Sequence, residues 1–241
     1  MTSELLQDGT VIFSTLAEPA HGFARAVARR RALSAVVLST VLSLVATGLI
    51  LPSIDAEAVA GEQLRPDMTP HEREQAIETA TKLNEVTTWA SAGLGPPASA
   101  FGLTLVLWLA FLAAGARSGF KTTFTVAAHA LVPQALKALL TVPAALAHAP
   151  VRPEQLAQLL PSSLAAVLPA TLSLPPPALA AASALDLFTL WSVVLVASGM
   201  KKASGASPLR TWVVVLVLFA AYIALFKIVP SAGGLMPRGG P

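Results

Sequence analysis

The chain contains no cysteine, so disulfides, thiolate nucleophiles and cysteine-based metal sites are all excluded. Charge is also scarce: 12% of the 241 residues are Asp, Glu, Lys or Arg, where a soluble domain carries about 25%. Aromatic residues make up 6%, with a single tyrosine. The formal charge of +3 does not imply nucleic acid, because the basic residues lie between apolar runs and form no stripe interleaved with aromatics. Catalytic motifs are missing as well. There is no G-x-S-x-G elbow and no H-E-x-x-H, and the four histidines, His21, His71, His129 and His148, are scattered. "GARSGFKTT" resembles a phosphate-binding loop, but Phe120 separates Gly119 from Lys121, where that loop needs Gly directly before Lys.

What is present is apolar surface. Hydrophobic residues reach 54%, and the mean hydropathy is +0.68. A helix needs about 20 apolar residues to cross roughly 30 Å of hydrocarbon. Five stretches qualify, at about 32–51, 97–116, 122–147, 178–200 and 211–229. The expected fold is an all-α polytopic bundle with five transmembrane spans and an outer amphipathic helix.

Residues 1–31 read as a cytoplasmic amphipathic leader. Leu16, Ala20, Phe23 and Val27 form one helical stripe, followed by Arg29, Arg30 and Arg31. That pattern suits a helix lying in the membrane surface; a frayed tail is the alternative. A signal peptide is rejected, because the apolar run exceeds the usual core of about 7–15 residues. Residues 52–88 are polar and acidic. Within them "TPHERE" starts a helix over about 70–88, with Thr69 as cap, Pro70 in the first position and Glu72 completing a capping box. Ala76, Ile77, Ala80, Leu83 and Val86 would form its apolar face, and "GLGPP" would break it before the second span. Residues 148–177 are Pro-rich and read as a loop with short interfacial helices. Residues 230–241 read as a flexible tail.

Orientation follows from Lys and Arg. An inside N-terminus puts Arg25, Arg29–31, Arg117, Lys121, Lys201, Lys202 and Arg210 in short inner loops. The C-terminus is then outside, and the expected location is a bacterial inner membrane.

Polar groups inside the spans are the candidate site. His129, Pro133 and Lys137 share a stripe of the third span, and Pro133 frees a backbone carbonyl near His129. At about 1.5 Å per residue, Gln134 and Asp186 fall at similar depths, with Lys137 about a turn further out. Asp186 is therefore expected to face the third span and take hydrogen bonds from His129, Gln134 or Lys137. Three readings remain open: structural glue between spans, a hydrated interfacial carboxylate, and a transport or proton-relay site. Lys227, near the outer end of the fifth span, is expected to snorkel.

Taken in order, several segments resemble the Ypt-interacting-protein (YIP) domain family. They are "EPAHGFARAVARR", "MTPHEREQAIETATKLNEV" with "GLGPP", "SGFKTTFTVAAHALVPQALKALL" and "LDLFTLWSVVLVASGM". In the last, Asp186, Phe188, Trp191 and Gly199 resemble the D-x-F-x-x-W…G pattern of the fourth span, and Pro133 stands in a familiar place in the third. The resemblance covers roughly Leu16 to Val229. It implies five spans and a cytoplasmic N-terminus. Eukaryotic relatives are implicated in vesicle traffic and contact Rab-type GTPases; for bacterial relatives it implies no settled activity. The resulting expectation is a non-enzymatic scaffold with no cofactor and no metal, embedded in a lipid bilayer and holding protein partners or a second copy, with no small-molecule ligand identified. The rival is a small transporter or permease component.

Overall fold

The computed structural model describes residues 2–29, 32–61, 64–65, 67–169, 172 and 174–233. Arg30 and Arg31 of the leader and residues 234–241 of the tail lie outside the described residues. Among those described, the regular structure is helical, with two isolated backbone bridges and no strand. The main helices are α1 (Thr2–Ala17), α2 (Pro19–Arg29), α3 (Leu33–Ile50), α4 (Ala56–Ala60), α5 (Pro70–Ala113), α6 (Phe120–Ala130) and α7 (Val132–Ala147). After them come α8 (Leu164–Val167), α9 (Pro176–Ala184), α10 (Leu187–Ser204), α11 (Pro208–Ile223) and α12 (Val229–Gly233). A π-helical turn, Ala224–Ile228, joins the last two.

Among the described residues, four helical stretches are long and apolar enough to cross a membrane: Leu33–Ser53, Pro70–Ala113, Phe120–Ala147 and Pro208–Ser231. They correspond to the expected first, second, third and fifth spans. The stretch expected as an unbroken fourth span, 178–200, is instead divided at Leu185 and Asp186 into α9 and α10. Both residues leave the helical region, with ψ of 73° and 142°. The third span divides at Leu131, two residues before Pro133, whose missing N–H and ring disfavour a continuous helix.

The expected break at "GLGPP" is absent: α5 runs through it, with Pro96 and Pro97 inside the helix. Each proline removes one hydrogen bond, yet the remaining ladder holds both flanks, as membrane helices tolerate.

The chain forms two compact units. The first comprises Met1–Val36, Ala100–Gln134 and Pro161–Pro241. Its core joins Phe23, Leu107, Phe111, Val126, Ala130, Leu195, Val196, Met200 and Val215. The leader stripe is therefore not laid on a lipid surface. Phe23 and Ala26 are fully buried by protein, and α2 packs against α10 and α6. Glycine makes this possible at two crossings. A Cβ on Gly22 would collide with the Thr15 backbone of α1. A Cβ on Gly199 of α10 would lie 2.5 Å from Val126 Cγ1 and 3.0 Å from Phe23 Cε1. Tight turns link the helices of this unit. Gly115 (φ 74°) follows α5, and Gly205 (φ 65°) ends α10 in the left-handed conformation that glycine adopts without strain. Ser207 then caps α11, with Pro208 in its first turn.

The second unit comprises Val37–Ser99 and Ala135–Leu160. Asp55 caps α4 through the amides of Glu57 and Ala58, at 3.0 and 3.1 Å. Asp55 N donates to Val151 O at 2.9 Å and Val151 N to Ser53 O at 2.8 Å, tying the end of α3 to the loop after α7. The expected capping box exists: Thr69 N donates to Glu72 Oε2 at 2.8 Å and Glu72 N to Thr69 Oγ1 at 3.3 Å. These bonds from Thr69 hold the Glu72 carboxyl below its ordinary range. The inward face of this stretch differs in part from the expected one. Ala76, Ile77 and Ala80 of the expected face are half-buried or buried, but further along Leu83 and Val86 are exposed and Thr81, Asn84 and Thr88 are covered in their place.

Several buried threonines satisfy their hydroxyls within their own helix. Thr15, Thr104, Thr125, Thr141 and Thr211 each donate to the carbonyl four residues earlier. In a bilayer no water is present to satisfy them, so the helix supplies the acceptor.

Candidate functional site

The apolar run around Asp186 is not one helix but a helix start. An N-terminus leaves amides without intrahelical partners, and Asp is among the best residues to receive them. Asp186 Oδ1 accepts from Phe188 N at 2.9 Å and Thr189 N at 3.2 Å. Its Oδ2 accepts from the Ser162 hydroxyl in a short hydrogen bond. The backbone repeats the link: Leu187 N donates to Ser162 O and Leu164 N to Leu185 O, both at 2.9 Å. The segment before α8 is thus clamped across the α9–α10 break, and Asp186 is left only 1% exposed. The positive end of α10 adds to carboxylate binding.

The other predicted groups are distributed unevenly. Gln134 reaches the same place: its Nε2 donates to Thr189 Oγ1, in the first turn of α10, at 3.4 Å. The third span therefore meets the start of α10 through an amide. His129 is fully buried but turns to its own helix, its Nδ1 lying 2.9 Å from Thr125 O. Its ring meets Phe23 edge-on at 6.1 Å between centroids, which ties it to α2. Lys137 is half-buried in α7 and belongs to the second unit.

Phe188, Trp191, Gly199 and Pro133 have structural positions. Phe188 is buried. Trp191 Nε1 donates to Leu16 O, at the end of α1, at 3.3 Å. Gly199 admits Val126 and Phe23. One face of α10 therefore holds the N-terminal helices at two points. Lys227 lies 5.9 Å from the Tyr222 ring centroid, within cation–π range.

Sequence reasoning missed Ser162, whose Pro-rich context carries no signal of a clamp. It also missed the helix start, although an Asp heading an apolar run is a recognisable cap pattern. Two partly open cavities are found among the described residues. One, in the second unit, has a volume of about 200 Å³ and a largely apolar lining that includes Thr47, Ile50, Asn84 and Leu156. The other, also about 200 Å³, lies between the end of α10 and the start of α11. Neither is lined by Asp186, Gln134 or His129.

A family model described as the Yip1 domain matches residues 13–228. No curated protein and no solved structure matches the chain.

Proposed function

The chain belongs to the Yip1 domain family, and from that premise we propose that it is a non-enzymatic scaffold of the bacterial inner membrane. Its multi-pass character rests on four apolar helices long enough to span. In this reading α9 and α10 together make a fifth, broken crossing. The N-terminus is inside and the C-terminus outside, as the Lys and Arg distribution favours. The bundle presents its surface to protein partners or to a second copy.

One observation carries the structural reading of the polar cluster. The Asp186 carboxylate is engaged by the first amides of α10 and by Ser162, so its charge serves to start a helix and fasten a loop. A transporter using Asp186, Gln134, His129 and Lys137 is the competing reading, and Asp186→Asn separates the two. An amide caps a helix nearly as well as a carboxylate, so the scaffold reading expects normal folding and unchanged partner capture. Mild crosslinking in native membranes, followed by purification of the tagged chain, should return the same protein or the same homo-oligomer for both forms. Capture of no stoichiometric protein and no second copy by the wild type would overturn the scaffold. An ion or solute flux in proteoliposomes that Asp186→Asn abolishes would establish the transporter.

A further inference from the structure

We infer that the cavity between the end of α10 and the start of α11 binds the phosphate of an anionic phospholipid headgroup. Lys201 and Lys202 line it together with Ser198, Thr211 and Trp212. The two ammonium groups have no ion-pair partner among the described residues. No Asp or Glu follows Asp186 in the chain, and Arg210 adds a third cation in the first turn of α11. The two lysines on this wall thus have no carboxylate within ion-pair reach among the described residues; the C-terminal carbonyls of α10 offset their charge only in part, and an anion is the chemistry that the cavity lacks.

The neighbouring surface selects a lipid over a soluble phosphate. Trp212 is 39% exposed at the cavity rim, and tryptophan favours the headgroup level of a bilayer. Beyond it on α11, Val213, Leu216 and Val217 are exposed, and α11 belongs to a stretch long and apolar enough to span. A phospholipid would place its phosphate between the lysines and its acyl chains along this face. The inference requires only that α11 sits in a bilayer; it is independent of the scaffold and transporter readings.

The alternative is that the lysines act only as orientation signals. Native mass spectrometry on the purified full chain, titrated with dioleoyl phosphatidylglycerol or dioleoyl phosphatidylcholine, separates the two. Each juxtamembrane cation is worth about fivefold in affinity for an anionic lipid. With two lysines the wild type should therefore prefer phosphatidylglycerol by about 25-fold. Lys201→Gln with Lys202→Gln should reduce that preference to about twofold or less, and Lys201→Arg with Lys202→Arg should keep it. Equal occupancy of the two lipids on the wild type, or a preference that survives the double glutamine variant, overturns the inference. Inorganic phosphate at millimolar concentration should not displace phosphatidylglycerol; complete displacement assigns the cavity to a soluble anion and overturns the lipid. If the glutamine variant does not fold, raising the ionic strength on the wild type decides. A preference that falls with salt supports the site, and one indifferent to salt refutes it.

Discussion

Gly199→Ala adds a single methyl group where α10, α6 and α2 meet. The new Cβ would lie 2.5 Å from Val126 Cγ1 and 3.0 Å from both Val126 Cγ2 and Phe23 Cε1. Carbon atoms prefer about 3.5–4.0 Å, so the closest contact is short by about 1 Å. Val126 cannot turn away easily, because a β-branched side chain in a helix has one strongly preferred rotamer and this one is fully buried. Phe23 is fully buried too and packs edge-on against His129. Overpacking of this kind costs about 1–3 kcal/mol. Alanine recovers about 0.8–1 kcal/mol through its better helix propensity, leaving a net loss of about 0–2 kcal/mol. Because Phe23 bears on the same glycine, the loss should appear first as release of α2. The assay is limited trypsinolysis at Arg25 in nanodiscs, beside a thermal melt of the whole chain. We expect cleavage at Arg25 to rise several-fold and the melt to shift down. Val126→Ala in the Gly199→Ala background should restore protection relative to Gly199→Ala alone, since it removes both clashing methyls. A Gly199→Ala protein that melts at or above the wild type and resists trypsin equally would refute the close-packing argument.

Asp186→Leu removes the one oxygen that accepts from both first-turn amides of α10 and the acceptor for Ser162; it should destabilise by more than the ~1 kcal/mol of a lost cap, while Asp186→Asn stays near wild type, as folded yield in membranes would show. Thr69→Ala should cost on the order of 1 kcal/mol at the start of α5, and unchanged amide exchange over residues 71–73 would contradict it. The Glu72 side of that box follows pH. Its carboxyl is held low by Thr69, so its contribution is present above the ordinary carboxylate value and is lost as pH falls through the lowered one; first-turn amide protection, relative to the intrinsic exchange rate at each pH, should fall in acid and not in mild base. A reporter placed in the Lys201–Arg210 segment should face the cytoplasm and one after Val229 the opposite side; both on one side would remove the crossing by α11.

The periodicities that need only local physics were legible in the sequence. Length and apolarity marked the helices at 33–53, 120–147 and 208–231, because the lipid requirement acts on contiguous residues. Thr69, Pro70 and Glu72 announced the start of α5, because a capping box closes within four residues. The stripe of Phe23 and Val27 was visible as well, but not its destination: whether an apolar face meets lipid or protein depends on a partner, and here α10 and α6 supply it. The same holds for "GLGPP", read as a break from its composition and kept helical by the ladder on either side. Asp186 shows the division most clearly. Its presence in an apolar run was plain, and a buried carboxylate in such a run demands a partner. Which partner was decided only by folding: a break at Leu185 exposes the amides of α10, and Ser162, 24 residues earlier in the chain, is brought to the second oxygen. The sequence alone determined that this charge must be neutralised by bonding, because hydrocarbon offers none. The tertiary structure determined that a helix end and a distant loop do it, because only three-dimensional packing can bring those groups within hydrogen-bonding distance.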